Sequence, residues 1–164
     1  MELRLRPLVQ ADAEEIAAWA YPGEYAFYDA GADADDMALL LDPKRRGDDF
    51  FAADGDDGRL AGYFQLKPGP EQVELGLGLR PDLCGRGLGQ GFTQAGIDLI
   101  RRVHGDRPIT LAVAAFNARA ITVYERCGFV VTGRRTHQTA GRDWEFVDMT
   151  LGRGGTRPAP PGRT

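Results

Sequence analysis

Residues 84–91 read CGRGLGQG, with a glycine at every second position from Gly85 to Gly91. In regular structure each glycine is roughly 0.5–1 kcal/mol less favourable than alanine. Such a run therefore suits a place where the backbone must turn sharply or meet a ligand more closely than a Cβ allows. It lies between an apolar strand-like run and a helix-like run, and a helix N-terminus offers unpaired N–H groups and about half a positive charge. Glycines at 85, 87 and 89 let those N–H groups turn inward on a phosphate. Two well-known phosphate loops fail on spacing. The dinucleotide fingerprint fails because Gly85-x-Gly87 is followed by Gln90, and Gly87-x-Gly89 by Phe92. The P-loop fails because no Gly-Lys-Ser/Thr occurs. The stretch is thus a phosphate candidate outside both classes, with a merely flexible turn as the plain alternative.

Other side chains that carry chemistry are scattered. Cys84 and Cys127 are far apart and read as reduced thiols, and His104 and His137 are isolated, so no metal site is expected. The Asp/Gly cluster at 54–58 lacks the spacing and closing glutamate of a calcium loop. Asp33, Asp35 and Asp36 read better as the capped start of a helix.

The elements that must position these residues follow from periodicity and turn signals. LRLRPL (3–8) alternates as an exposed or edge strand does. A helix begins in ADAEEIAAWA, with Asp12 as its cap and Glu15 completing a box-like signature. YPGEYAFYD (21–29) is a loop or broken helix, and DADDMALLLD (33–42) a second helix. DFFAADGDDGRLAGYFQLKP (49–68) reads as a hairpin around its Asp/Gly turn. QVELGLGLRP (72–81) is a strand with Val73, Leu75, Leu77 and Leu79 on one face, and Glu74, Gly76 and Gly78 on the other. The two glycines leave room for something to lie against it. From Leu88 the apolar spacing becomes helical up to Gly105, ITLAVAAF is a strand, and NARAITVYERCGF (117–129) is a short helix with Asn117 near its N-cap. FVVTGRRTH and DWEFVDMTL form a final pair of strands. The order β-α-α-β-β-β-α-β-α-β-β implies an α+β domain over 1–151. Its central mixed sheet has about seven strands, is mostly antiparallel, and carries helices on both faces.

With the elements in place, LGLRPDLCGRGLGQGF (77–92) followed by NARAITVYERCGF (117–129) resembles the two signature segments of the GNAT superfamily of acyl-CoA N-acyltransferases. The first pattern is Gln/Arg-x-x-Gly-x-Gly/Ala; Gly87 and Gly89 match, while Cys84 stands at the Gln/Arg position. The second matches at Asn117, Ala120, Tyr124, Gly128 and Phe129. The resemblance implies that the turn Cys84, Gly85, Arg86, Gly87, Leu88, Gly89 and Gln90 holds the pyrophosphate of acetyl-CoA through main-chain N–H groups. It also implies that Leu77 and Leu79 lie beside the pantetheine arm and that Asn117 belongs to the cofactor site. Because the main chain does most of the holding, Cys84 should weaken binding without abolishing it.

The reaction so implied is direct attack of an amine on the acetyl carbon, with expulsion of the coenzyme A thiolate. Tyr124 occupies the family's proton-donor position; its alternative is a core aromatic. A phenol with pKa about 10 is a weaker acid than a thiol at about 8.5, so the proton is shared late. Glu74 sits where other members carry a strand carboxylate and can act as base through burial or a water relay; its alternative is a solvated strand glutamate. No carboxylate occurs in ITLAVAAF, where some members place one. Trp19, Tyr21, Tyr25, Phe27 and Tyr28 either line an acceptor pocket or close the core. A catalytically silent acyl-CoA sensor, or a binder of another nucleotide, remains the competing class.

Composition narrows the partners. The chain has 164 residues and a net charge of −4, and its last 13, GRGGTRPAPPGRT, hold three arginines and no acid. The rest is thus acidic enough to argue against DNA or RNA and to favour an amine-bearing acceptor. The Gly/Pro-rich stretch 152–164 reads as disordered, either a plain solvated tail or a contact for a ribosome or RNA. No run approaches the ~18 apolar residues of a membrane span, and MELRLRPLVQ lacks a signal peptide's apolar core. A cytoplasmic protein is expected, as monomer or homodimer.

Overall fold

The structure, a computed structural model, describes residues 1–139 and 141–155. Seven strands form one sheet in the order β1-β2-β3-β4-β5-β7-β6. These are β1 (Arg4–Pro7), β2 (Phe50–Asp54), β3 (Leu60–Pro68), β4 (Val73–Leu79), β5 (Ile109–Ala114), β6 (Val130–Thr139) and β7 (Arg142–Leu151). Strand β1 is at an edge, as its alternation suggests. Helices α1 (Gln10–Ala17), α2 (Ala34–Leu41), α3 (Pro43–Arg46), α4 (Gly89–His104) and α5 (Ala118–Arg126) complete the expected order, with α3 one short helix more. Within the expected 1–151 domain, residues group into two compact units: 1–65 with 77–88, and 66–76 with the chain from 89 onward.

In the first unit, β1, β2 and β3 pair antiparallel. The turn between β2 and β3 closes as its Asp/Gly cluster demands, with Gly55 N–H donating to Arg59 O at 2.9 Å. Asp33 caps α2 by accepting from the N–H groups of Asp35 and Asp36. Leu8, Ala13, Ile16, Leu40, Phe50, Ala52 and Leu60 form one buried cluster. Asp12 does not cap α1 as expected. Val9 is the flanking residue, and Asp12, in the first turn, reaches back to accept its N–H at 2.9 Å. The reason lies outside the helix. Arg6 on β1 grips Asp12 through both terminal nitrogens (2.7 and 2.9 Å) and Asp54 on β2 through Nε and Nη2 (2.8 and 3.1 Å). One guanidinium thus ties two strands and a helix.

In the second unit, β5 pairs antiparallel with β7 along its whole length, and β7 with β6. One face of β5 and β7 buries Ile109, Leu111, Val113, Val147, Met149 and Leu151. Helix α4 buries Phe92, Ile97, Leu99 and Ile100 along one stripe. One pairing is parallel: β4 meets β5 at Val73–Ile109 and Glu74–Thr110. Of the expected tail, Arg153–Gly155 form a single 3-10 turn whose Gly154 N–H donates to Asp106 Oδ1 at 2.8 Å. Its remainder, 156–164, lies outside the described residues.

The Arg6 clamp predicts acid lability. Arg6 holds both the Asp12 and the Asp54 carboxyl below the ordinary value of 3.8. Their contribution is therefore complete above the unfolded-state pKa and is lost as pH falls through the depressed folded values. Melting temperature should be flat from neutrality to about pH 5 and fall below about pH 4. Arg6→Met leaves buried Asp12 without a cation and Asp54 with only the exposed Arg4, 3.2 Å away, and should cost about 3 kcal/mol at pH 7, with a shallower acid limb. Melting curves of both proteins across pH 3–8 check this.

Candidate active site

The chain leaves β4 through a 3-10 turn, Pro81–Leu83, and enters α4 at Gly89. Arg80 anchors the exit: its N–H donates to Ala61 O, its Nη1 to Leu60 O, and its Nε meets Asp82 at 2.6 Å. Gly85 and Gly87 both have φ of +75°, the left-handed conformation that disfavours side chains. Among the described residues, the N–H groups of Gly85, Arg86, Gly87 and Leu88 have no hydrogen-bond partner. The first N–H groups of α4 lack helical partners by geometry. A Cβ built on Gly87 meets nothing within 4 Å, so space beside this exposed turn is open. Unpaired donors, room and a helix N-terminus together fit an anion such as a pyrophosphate. Cys84 instead turns its Sγ back toward Leu79 O and Arg80 O, both at 3.7 Å.

Gly89 sits against the neighbouring helix. A Cβ there would lie at ordinary van der Waals contact, 3.4–3.5 Å from both methyls of Val123, so α4 and α5 pack closely at this point. The residue after Val123 is Tyr124. Asn117 caps α5 by accepting the Ala120 N–H at 3.1 Å, which sets where the helix starts. The other end is fixed by a Schellman stop: Gly128 at φ +101° donates to Glu125 O, and Phe129 N–H donates to Tyr124 O at 3.1 Å. Phe129 is fully buried and meets the Tyr124 ring edge-on, with centroids 6.2 Å apart. The Tyr-x-x-x-Gly-Phe spacing is therefore a helix stop that also orients the tyrosine, whose side chain stays half-buried.

Glu74 is half-buried between the buried Val73 and Leu75, so it points to the opposite face of β4, as its strand alternation requires. It registers beside Thr110 of β5. Among the described residues its carboxylate has no hydrogen bond or ion pair.

The space expected beside Gly78 is not open. A Cβ there would lie 2.3 Å from Cε1 of Tyr63, so Gly78 exists to seat that ring. Nothing in the strand's own sequence distinguishes a glycine facing a ligand from one facing a distant aromatic. Tyr63 also neighbours Trp19 and Phe50, with centroids 6.3 and 6.5 Å away. Burial, with Asp36 nearby, pushes its hydroxyl up to about 12.

The five aromatic candidates divide. Trp19 packs against the first unit's core cluster. Tyr21 donates its hydroxyl to Leu79 O at 2.8 Å, tying its loop to the end of β4, and burial raises its pKa. Tyr25 and Phe27 are half-buried and Tyr28 is exposed, all on one 3-10 helix, Gly23–Tyr28. Among the described residues no group of His, Cys, Asp or Glu is placed to hold a metal ion, and no helix is long and apolar enough to cross a membrane.

Comparison with known proteins gives these features a context. Residues 2–130 match the family model described as acetyltransferase (GNAT) domain. A mycothiol acetyltransferase of Clavibacter sepedonicus is 42% identical over 74 residues, 44% of this chain and 24% of that protein. One from Streptomyces coelicolor is 42% identical over 96 residues, 55% and 28%. The chain thus spans less than a third of the length of these curated relatives. Among solved structures, spermidine N-acetyltransferase from Vibrio cholerae in complex with CoA and spermine superposes with a TM-score of 0.76 at 21% identity, covering 93% of this chain and 96% of that one. A chimera of that enzyme superposes at 0.74 with 22% identity, covering 92% and 95%. At that identity the likeness shows the fold.

The contact between α4 and α5 is open to a direct test. Gly89→Val forces methyl groups onto Val123 and should destabilise the protein by about 1–3 kcal/mol. Adding Val123→Ala should restore at least half of the lost melting temperature; no recovery in the double variant would refute close packing of α4 on α5 at Val123.

Proposed function

The chain belongs to the GNAT acetyltransferase family, and on that premise we propose that it moves an acetyl group from acetyl-CoA directly to a primary amine. The observation that carries this reading is the turn at 85–88, whose exposed N–H groups lack protein partners immediately before a helix N-terminus. Those donors, with the first turn of α4, would hold the pyrophosphate. Leu77 and Leu79 would lie along the pantetheine arm. Cys84 stays out of the chemistry, because its thiol faces the strand's own carbonyls. Asn117 acts on the cofactor side through α5, whose N-terminus it caps.

Acetyl-CoA supplies an activated acyl carbon and a thiolate leaving group. Tyr124 would donate to that sulfur as negative charge develops on it, a stabilisation made only in the transition state. Transfer from a phenol near 10 to a thiolate near 8.5 is uphill by about 2 kcal/mol, so the proton moves late. Glu74 would take the amine's proton on the opposite side of the reaction. Tyr25, Phe27 and Tyr28 present rings on which an ammonium or an apolar acceptor stem can rest. The relatives named above act on different acceptors. The acceptor amine is therefore to be found by assay: release of coenzyme A thiol measured with spermidine, an amino sugar and a peptide bearing a free N-terminus. Acetyl-CoA binding without turnover on any amine would instead identify an acyl-CoA sensor.

Two substitutions separate binding from chemistry. Gly87→Val places a β-branched side chain at φ +75° in the turn, and coenzyme A affinity should fall at least tenfold, about 1.4 kcal/mol. Titration calorimetry on the folded variant measures it. Tyr124→Phe keeps the ring on Phe129 and removes the hydroxyl. Turnover at saturating acetyl-CoA should drop about 100-fold with affinity unchanged. Equal turnover would remove Tyr124 from the mechanism.

A further inference from the structure

Strands β3 and β4 are neighbours in the sheet and are joined only by residues 69–72, so they run antiparallel. Two main-chain bonds fix their register. Gly69 N–H donates to Gln72 O at 2.7 Å, and Arg80 N–H donates to Ala61 O at 2.7 Å. Each step along one strand is a step back along the other, so both bonds belong to one register, which sets Lys67 directly opposite Glu74. Registered residues share a face, with Cβ atoms about 4.5–5.5 Å apart. Leu66, Val73 and Leu75 are buried on the other face, so Lys67 and Glu74 both point away from that core. Lys67 is exposed and Glu74 half-buried, and among the described residues neither has a hydrogen bond or ion pair. Lysine is scarce in this chain. Of its 20 Lys and Arg residues, Lys44 and Lys67 are the lysines. Lys44 is exposed on α3, in the first unit, and Lys67 stands beside the carboxylate assigned as base.

We propose that Lys67 is a modification site for the chain's own activity: with no external amine present, its Nζ is acetylated in cis by bound acetyl-CoA, with Glu74 as base. This rests on the acetyl transfer and on the role of Glu74 set out above. A reaction that Glu74 assists needs an acceptor nitrogen close both to its carboxylate and to the acetyl carbon. Lys67 meets the first condition by register, and its flexible four-carbon stem gives it reach toward the second. A lysine elsewhere on the surface lacks the neighbouring base that must free its electron pair. Tethering also supplies the amine at an effective concentration on the order of millimolar. The Lys67 ammonium gives one proton to Glu74, which returns it to solvent. The freed pair on Nζ forms the C–N bond, and the C–S bond breaks. The thiolate takes a proton from Tyr124, and the second Nζ proton, lost as the amide forms, replaces it. The products are coenzyme A thiol, one released proton and an uncharged acetyl-lysine opposite Glu74.

Mass spectrometry of the full chain, incubated with acetyl-CoA and no added amine, tests this. Intact mass should rise by one acetyl group, and peptide mapping should place it on Lys67, with Lys44 and the N-terminal amine unmodified. The fraction modified per unit time should not change on tenfold dilution of the protein, as a reaction in cis requires. Glu74→Gln should slow it at least tenfold, and Lys67→Arg should abolish the mass gain. Equal labelling of Lys44 would mark a general reaction of surface amines with the thioester and overturn the proposal. So would a rate that falls with dilution, or one that Glu74→Gln leaves unchanged. Coenzyme A release with the amine panel, measured on the same preparation, separates the two levels. Turnover of an external amine with Lys67 unmodified would sink the lysine site and leave the acetyltransferase reading standing. Acetyl-CoA binding with neither turnover nor labelling would sink both.

Discussion

Two adjacent strands that run parallel cannot be joined by a hairpin; the chain must cross over, and a helix is the usual way. The pair β4–β5, registered at Val73–Ile109 and Glu74–Thr110, imposes that constraint on a sheet whose other registered pairs are antiparallel. From it follows the placement of the chemistry. The chain must leave the end of β4 and reverse before α4, and it does so through the turn Pro81–Leu83 and the glycine run that leads to Gly89. The crossover also brings β5 back beside the start of β4, which is why Thr110 is Glu74's neighbour. Val73 N–H on Pro108 O at 3.0 Å and the Arg107 guanidinium on Gly69 O fix that start.

Tyr124, the donor of the proposed reaction, is placed by a different device. Tyr124 sits one turn from the end of α5, and a helix end frays unless its carbonyls are satisfied. Here the stop supplies both the hydrogen bonds and a buried aromatic, Phe129, against the tyrosine ring. Asn117 fixes the opposite end. A nine-residue helix is too short to hold itself in water, so its two ends and its contact with α4 through Val123 define where the hydroxyl lies.

Glycines show how far the sequence can be read and where it stops. The Gly85–Gly87 turn was legible because left-handed backbone and a strand-to-helix junction are both local. So was Gly128, whose spacing after a helical run marks a stop. Gly78 was not legible as what it is. It is a glycine because of one side chain distant in sequence, Tyr63, and no local pattern names it. Asp12 misled in the same way: its residue type suits a cap, but Arg6 and Asp54 claim it from other elements. Element order, the sheet's mixed character and the two motif segments depend on periodicity and turns and came through intact.

Charge shows the same limit for the acceptor. The acidic balance of the chain suggests an amine partner, yet many of its carboxylates are already engaged. Asp12 pairs with Arg6, Asp54 with Arg6 and Arg4, Asp82 with Arg80, and Asp148 with Arg135. Asp33 and Asp42 spend oxygen lone pairs on helix N–H groups, and Asp29 on the N–H of Tyr21. Such groups contribute to the far field, which is screened within about 10 Å at ordinary salt. They cannot at the same time receive an ammonium as a tight partner. Glu74 differs in kind, being half-buried, interior to the sheet and without a protein partner among the described residues. An attraction set by net charge would change smoothly as any surface acid is removed. One set by Glu74, the base of the proposed reaction, would depend on a single position.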